Sequence, residues 1–101
     1  MIRHVVIFTW TPEATSEQIS AFAAGLSTMP DKIEAIRRFE HGDDLNLGPG
    51  RADYVLVADF DTIEGYREYD GHPDHSEFVQ ELVKPIAAGV ARVQYHVTSG
   101  E

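Results

Sequence analysis

The sequence predicts an α+β fold in which a four-stranded antiparallel sheet carries its helices on one face. The prediction comes from the hydrophobic patterns, which follow the order strand, helix, strand, strand, helix pair, strand. This order is the split βαβ, or ferredoxin-like, arrangement. At 101 residues, 43% of them hydrophobic, the chain has room for one domain, residues 1–101, with one small core.

The first half of the chain predicts a strand, a helix and a strand. Residues 3–10 are apolar or aromatic on both alternating sides, so we expect both faces of this strand to be buried. Thr15, three residues before Gln18, begins a capping box, and we expect the helix that follows to end at Pro30. Residues 36–43 alternate less regularly and predict a strand nearer the sheet edge.

The second half predicts a buried strand, two helices and a final strand. Residues 54–60 are nearly all apolar and predict a strand joined to the preceding one by a hairpin. Asp61 or Thr62 is the expected N-cap of a short helix. We expect a longer helix over residues 73–89 and the final strand over residues 92–97.

The two helices meet in a corner that concentrates polar aromatic side chains. Gly71 is the expected left-handed residue that closes the first helix, and Pro73 suits the first turn of the next. His75 shares one helical face with the apolar residues that follow it. An imidazole on the core-facing side of a helix requires either a hydrogen-bond partner or a function.

The strands that are apolar on both sides predict a partner. If the helices cover only one face of the sheet, the second face also needs a cover. A second copy of the chain is the simplest cover, so we expect a homodimer formed through the sheet face.

The composition argues against several kinds of partner and site. Seventeen acidic residues against eight basic ones give a net charge of −9, so we expect neither nucleic acid nor a membrane as a partner. The absence of cysteine removes disulfides, thiolate nucleophiles and cysteine-based metal sites. The apolar run near the N-terminus is shorter than a signal sequence or membrane span requires, so we expect a cytoplasmic protein.

Four motifs occur in order along the chain. They are Ile2-Arg3-His4-Val5-Val6-Ile7-Phe8, Gly42-Asp43-Asp44-Leu45-Asn46, Val57-Ala58-Asp59-Phe60 and His72-Pro73-Asp74-His75. Together they resemble the stress-responsive A/B barrel (Dabb) domain family over nearly the whole chain. The resemblance implies ferredoxin-like subunits that form a dimeric α+β barrel.

The resemblance also implies a candidate active site. Most members of the family have no known activity, and some are stress-induced plant proteins. One plant branch is a cofactor-free polyketide cyclase that closes a ring by intramolecular aldol condensation. Its catalytic histidine is the second one of the His-Pro-x-His motif, and a tyrosine and a first-strand histidine assist. By position the resemblance implies catalytic roles for His75, Tyr69 and His4, no cofactor, and a small aromatic or polyketide-like ligand.

The chemistry of these residues is consistent with a general base. The positive end of a helix dipole disfavours protonation of His75, which leaves a neutral imidazole near pH 7. Tyr69 and His4 are suited to orient that ring or to hydrogen-bond a developing enolate oxygen. The alternative is that His75 is a hydrogen-bonded core residue without a function.

We expect substrate-binding residues around this base. They are Phe8, Trp10, Phe22, Tyr66 and His72. The aromatic members are more typical of a packed core, and the histidine is more typical of a residue that hydrogen-bonds the backbone at the corner.

We expect no metal and no phosphate loop. The two histidines of the corner straddle a helix start without a clear third ligand. Gly48-Pro49-Gly50 lacks the Lys-Ser/Thr of a phosphate-binding loop and predicts a hairpin turn instead.

Three functions of different classes are compatible with the sequence. The first is a cofactor-independent enzyme, a cyclase, lyase or isomerase acting on a small carbonyl compound, with His75 as the base. The second is a non-catalytic ligand-binding or stress-protective homodimer in which the same residues are structural. The third, a cofactor-free or haem monooxygenase, rests only on analogy with other dimeric α+β barrels. A ligand-sized cavity beside His75, rather than packed side chains, would separate the first two.

Overall fold

The chain folds into one antiparallel sheet with its helices on one face, in a computed structural model that describes residues 1–98. The elements are β1 (Ile2–Trp10), α1 (Ser16–Ser27), α2 (Met29–Lys32), β2 (Ile36–Asp43), β3 (Tyr54–Phe60), α3 (Ile63–Asp70), α4 (Pro73–Phe78) and β4 (Ala87–His96). A π-helical segment, Val79–Val83, continues α4. The strand order is β2-β3-β1-β4. The predicted ferredoxin-like α+β class is confirmed.

Side-chain alternation along β1 gives the sheet its two faces. Val6 pairs with Leu56 of β3 and Phe8 pairs with Tyr54, and all four side chains are buried beneath the helices. The core on this side consists of Ile2, Val6, Phe8, Phe22, Leu26, Met29, Ile33, Tyr54, Leu56, Ala58, Phe60, Tyr69, Phe78, Val83 and Ile86.

The opposite face of the sheet, which we call the open face, is apolar but accessible to solvent in the single chain. Its exposed members include Ile7 at 43%, Val55 at 37% and Val93 at 56% relative exposure. A single chain therefore buries only one face of β1, and burial of the other requires the second copy that the sequence predicts. Near one end of this face Arg3 donates hydrogen bonds of 2.8 and 2.9 Å to the buried Asp59 carboxylate, which lowers the pKa of Asp59.

Both predicted helix starts carry a side-chain cap. Thr15 accepts a hydrogen bond from the Gln18 backbone, and the Gln18 side chain bonds back to the Thr15 backbone, which completes the capping box. Thr62, rather than Asp61, caps α3 by accepting a hydrogen bond from the Gly65 N–H.

Helix α1 ends earlier than predicted. Its last residue is Ser27, and the Thr28 hydroxyl donates a 2.7 Å hydrogen bond to the Gly25 carbonyl just beyond the helix end. Pro30 therefore does not stop α1, because it lies in the first turn of α2, where a missing N–H costs nothing.

The corner and the last helix also differ from expectation. Gly71 has a φ of −94°, so it is not left-handed, and its N–H donates to the Arg67 carbonyl. The last helix stops at Val83 instead of residue 89, and β4 begins at Ala87 instead of residue 92. The cause is a longer pairing with β1, in which Ala87 lies opposite Trp10.

Among residues 1–98, no helix combines the length and apolar character needed to span a membrane.

Helix α1 approaches the last helix closely at Gly25. A Cβ atom added there would lie 2.8 Å from Leu82 Cδ1 and 2.9 Å from Phe78 Cε1. Gly65 in α3 has more room, because the nearest atom to an added Cβ would be Thr62 Oγ1 at 3.5 Å. The two helical glycines thus differ in packing.

We expect Gly25→Ala to lower the free energy of unfolding by about 1–2 kcal/mol, because overpacking outweighs the gain in helix propensity. Gly65→Ala is the matched control and should be neutral or stabilising by up to about 1 kcal/mol. Urea denaturation of both variants measures the difference, and equal effects would contradict the close packing at Gly25.

Candidate active site

A cavity of about 500 Å³ lies between the helix-covered side of the sheet and the corner. Its volume is in the range of small-molecule sites. Much of its lining is apolar and comes from Val6, Phe8, Leu26, Leu56, Phe78, Val79, Val83, Ala87, Ala88 and Val90. His4, Tyr69 and His75 also line it, so the structure brings the three candidate catalytic residues to one cavity.

His75 lies in the first turn of α4, on the side that faces the cavity. Its ring centroid is 4.5 Å from that of Tyr69, and its side chain is half-buried. Burial lowers the pKa of His75, whereas the charge and backbone of Asp70 act in the opposite direction. The positive charge of Arg92 lowers this pKa further. A neutral ring near pH 7 follows, as a general base requires.

His4 projects from β1 beneath the helices and is only 4% exposed. Burial, followed by the charge of His75, lowers its pKa to about 4. The Gln94 side-chain amide, 2.9 Å away, donates to His4 Nδ1, which places the proton of the neutral ring on Nε2. His4 is therefore a neutral hydrogen-bond donor at pH 7.

Tyr69 lies between the two histidines. Its ring is 5.9 Å from His4 and 4.5 Å from His75, and burial raises the pKa of its hydroxyl, which stays protonated. Within residues 1–98, no fully buried side-chain nitrogen or oxygen lacks a hydrogen-bond partner. Tyr69 and His4 both line the cavity, although they are only 1% and 4% exposed.

Only one of the five predicted substrate-binding residues lines the cavity. Phe8 lines the cavity, and Tyr66 packs against His4 at 5.0 Å between ring centroids without lining it. Trp10 and Phe22 pack against each other at 4.9 Å, away from the cavity lining. His72 also lies outside the lining, where its Nδ1 caps α4 by accepting a hydrogen bond from the Asp74 N–H.

Several lining residues were missed from the sequence. Asp70 ends α3, Lys84 follows the π-helical segment, and Arg92 lies on β4 opposite Val6. The alternation along β4 shows that Arg92 and Gln94 lie on the same side of the strand. It does not show which residues of β1 they face, because the cross-strand register cannot be read from one sequence.

The π-helical segment contributes one wall of the cavity through Val79, Gln80 and Val83. Single π turns inside helices occur frequently at functional sites. Among residues 1–98, no three histidine, aspartate or glutamate side chains converge to hold a metal ion.

Comparison with known proteins identifies the family. The family model for the stress responsive A/B barrel domain matches residues 2–97. The chain belongs to this family. A relative, the stress-response A/B barrel domain-containing protein HS1 of Arabidopsis thaliana, is 28% identical over 80 residues, which are 76% of this chain and 72% of that protein.

Solved structures agree with this assignment. A dimeric ferredoxin-like protein of unknown function from Thermobifida fusca is 33% identical, with a TM-score of 0.87 and coverage of 95% of this chain and 90% of its own. A hydroxynitrile lyase from Passiflora edulis is 16% identical, with a TM-score of 0.84 and coverage of 97% and 94%, a likeness of fold alone.

The depressed pKa of His4 predicts a loss of stability in mild acid. The unfolded chain, with a histidine pKa near 6.5, binds the proton more readily than the folded chain at about 4. Stability present above pH 6.5 should therefore fall as the pH drops toward 4, with His4 contributing about 2 kcal/mol of loss between pH 7 and pH 5. Titration of the His4 ring by NMR provides the check, and an apparent pKa of 6.5 or above would contradict the assignment.

Proposed function

We propose that this A/B barrel domain protein is a cofactor-independent enzyme that removes a proton beside a carbonyl group, with His75 as the general base. The observation that supports this is the grouping of three neutral side chains around one largely apolar cavity, with the His75 imidazole as an acceptor and the Tyr69 hydroxyl and His4 Nε2–H as donors. A static arrangement of this kind lowers the energy of an enolate without a metal.

The proposed reaction begins when a ring nitrogen of His75 takes a proton from the carbon next to the carbonyl. The electron pair of the broken C–H bond moves to the carbonyl oxygen, which becomes an enolate. The Tyr69 hydroxyl and His4 Nε2–H donate hydrogen bonds to that oxygen. In an aldol cyclisation the enolate carbon then attacks a second carbonyl carbon of the same molecule, and the proton held by His75 returns to the new alkoxide. Loss of water from this aldol, followed by enolisation of the remaining ketones, gives the phenol when the substrate is a 1,3,5-triketone.

The similarity to known proteins supports this proposal at the level of the family and the fold. The Passiflora edulis neighbour is a lyase by name, so the same fold accommodates an enzyme. The alternative, a ligand-binding homodimer without catalysis, is favoured by the apolar cavity walls, which would hold a ligand whether or not His75 reacts.

Replacing His75 distinguishes the two functions. If the protein converts a 1,3,5-triketone to a phenol, His75→Gln should reduce kcat by about 100-fold or more, because a general base is lost. The free energy of unfolding should change by about 1 kcal/mol or less, since the ring borders a cavity. Ultraviolet absorbance of the phenol and thermal melting measure the two effects.

The matched control is His96→Gln on β4, outside the cavity lining, which should keep both turnover and stability. A loss of about 2–4 kcal/mol for His75→Gln would instead indicate a packing role. Tight binding of the triketone with no turnover by the unmodified protein would favour the non-catalytic alternative.

We also propose that two copies pack together through the open face. Isoleucine, valine and tyrosine side chains remain exposed there, and the 33% identical Thermobifida fusca protein is described as dimeric. Burial of this face would remove a contiguous apolar surface from water, which favours association.

Light scattering after size exclusion should give twice the monomer mass of 11.3 kDa at micromolar concentration. Ile7→Lys, at 43% exposure on the open face, should shift the protein to monomer because it buries a charge. Ile63→Lys, at 44% exposure on α3, is the matched control and should remain dimeric. A stable monomer of the unmodified chain would refute the interface.

A further inference from the structure

We propose that the cavity selects ligands that carry an anionic group, a carboxylate in the simplest case, and that Arg92 binds this group. The inference deepens the proposed function by naming its substrate class: an apolar or aromatic keto acid. Arg92 has no role in the proposed proton transfer.

Arg92 is placed at the cavity by the sheet. It pairs with Val6 in the register between β1 and β4, so its side chain is on the helix-covered side, the same side as His4. Val90, two residues earlier, also lines the cavity. Val93 lies on the open face, so Arg92 points away from the proposed contact with a second copy.

The charge environment of Arg92 differs from that of most arginines in the protein. Those at positions 3, 37, 38 and 51 each lie within 4.0 Å of a carboxylate oxygen. In the part of the chain that the structure describes, Arg92 has no such ion pair, although the chain contains seventeen acidic residues. Its charge contributes to lowering the pKa values of both His4 and His75, although burial is the larger cause for each.

The charged residues of the cavity favour an anion. Arg92 and Lys84 contribute two positive charges to the lining, and Asp70 contributes one negative charge. The local excess is positive in a chain whose net charge is −9. A guanidinium presents parallel N–H donors that match the two oxygens of a carboxylate, a geometry that an ammonium group does not offer.

The rest of the lining determines what the anionic group is attached to. Apolar side chains from β1, β3 and the last helix surround most of the cavity, including Phe8, Leu56 and Phe78. They fit a hydrocarbon or aromatic body. A keto acid carries its carbonyl between a carboxylate, bound by Arg92, and a ring, packed among these side chains, and His75 lines the same cavity.

The test compares two probes of equal size, 4-oxo-4-phenylbutanoate and its neutral amide, by isothermal titration calorimetry at pH 7 and low salt. We expect the acid to bind at least 10-fold more tightly than the amide. Arg92→Gln should weaken binding of the acid about 10-fold and leave the amide unchanged, and Arg92→Lys should give an intermediate loss. Arg67→Gln on α3, which removes the same charge outside the cavity lining, is the control and should change neither.

Equal affinities for acid and amide, no measurable binding of either probe, or no effect of Arg92→Gln would overturn the proposal. Binding does not depend on turnover, so this test is separate from that of His75. If the unmodified protein binds the acid more tightly than the amide but shows no turnover, the anion site is supported and the proposed enzymatic function is refuted. If it converts neutral ketones but binds acid and amide equally, the enzymatic function is supported and the anion site is refuted.

Discussion

The alternation of side chains along β1 is the constraint on which the rest of the molecule depends. Because β1 lies between β3 and β4, each of its residues contributes to one of two surfaces. Val6 and Phe8 point under the helices and support the core and the cavity, whereas Val5 and Ile7 point to the open face. A shift of one residue in register would exchange the two surfaces, so His4 lies in the cavity only because the core residues fix the strand.

Burial is the dominant influence on the candidate site. It is the largest cause of the lowered pKa values of His4 and His75 and of the raised pKa of Tyr69. Neutral forms of all three side chains are therefore stabilised together, and one is left as an acceptor while two are donors. Asp70 and Arg92 act on the histidines in opposite directions, which moderates the shift at His75.

The sequence predicted the order of the four strands, the bounds of β2 and β3, the capping box and the meeting of two helices at residues 71–73, because each depends on local patterns or caps. It did not predict the short helix α2 or the conformation of Gly71. It also singled out His4, Tyr69 and His75, which the fold brings to one cavity. The end of the last helix was misplaced because strand pairing with β1 begins earlier than the hydrophobic pattern indicates. The roles of Gln94 and Arg92 were missed because they depend on which β1 residues they face. Trp10 and Phe22 were predicted to bind substrate but pack with each other away from the cavity, because aromatic side chains occur in a packed core as well as in a pocket.

The proposal that His75 is a base toward carbonyl compounds is tested most directly by hydrogen exchange of a ligand. The protein would be incubated with 4-oxo-4-phenylbutanoate in D₂O near neutral pH, and loss of the proton signal next to the ketone would be followed by NMR. Proton abstraction requires no knowledge of the natural substrate and no ring closure. We expect the protein to accelerate this exchange above the buffer rate and His75→Gln to abolish the acceleration. Exchange at the buffer rate in the presence of the bound, unmodified protein, or equal acceleration by the variant, would contradict the account.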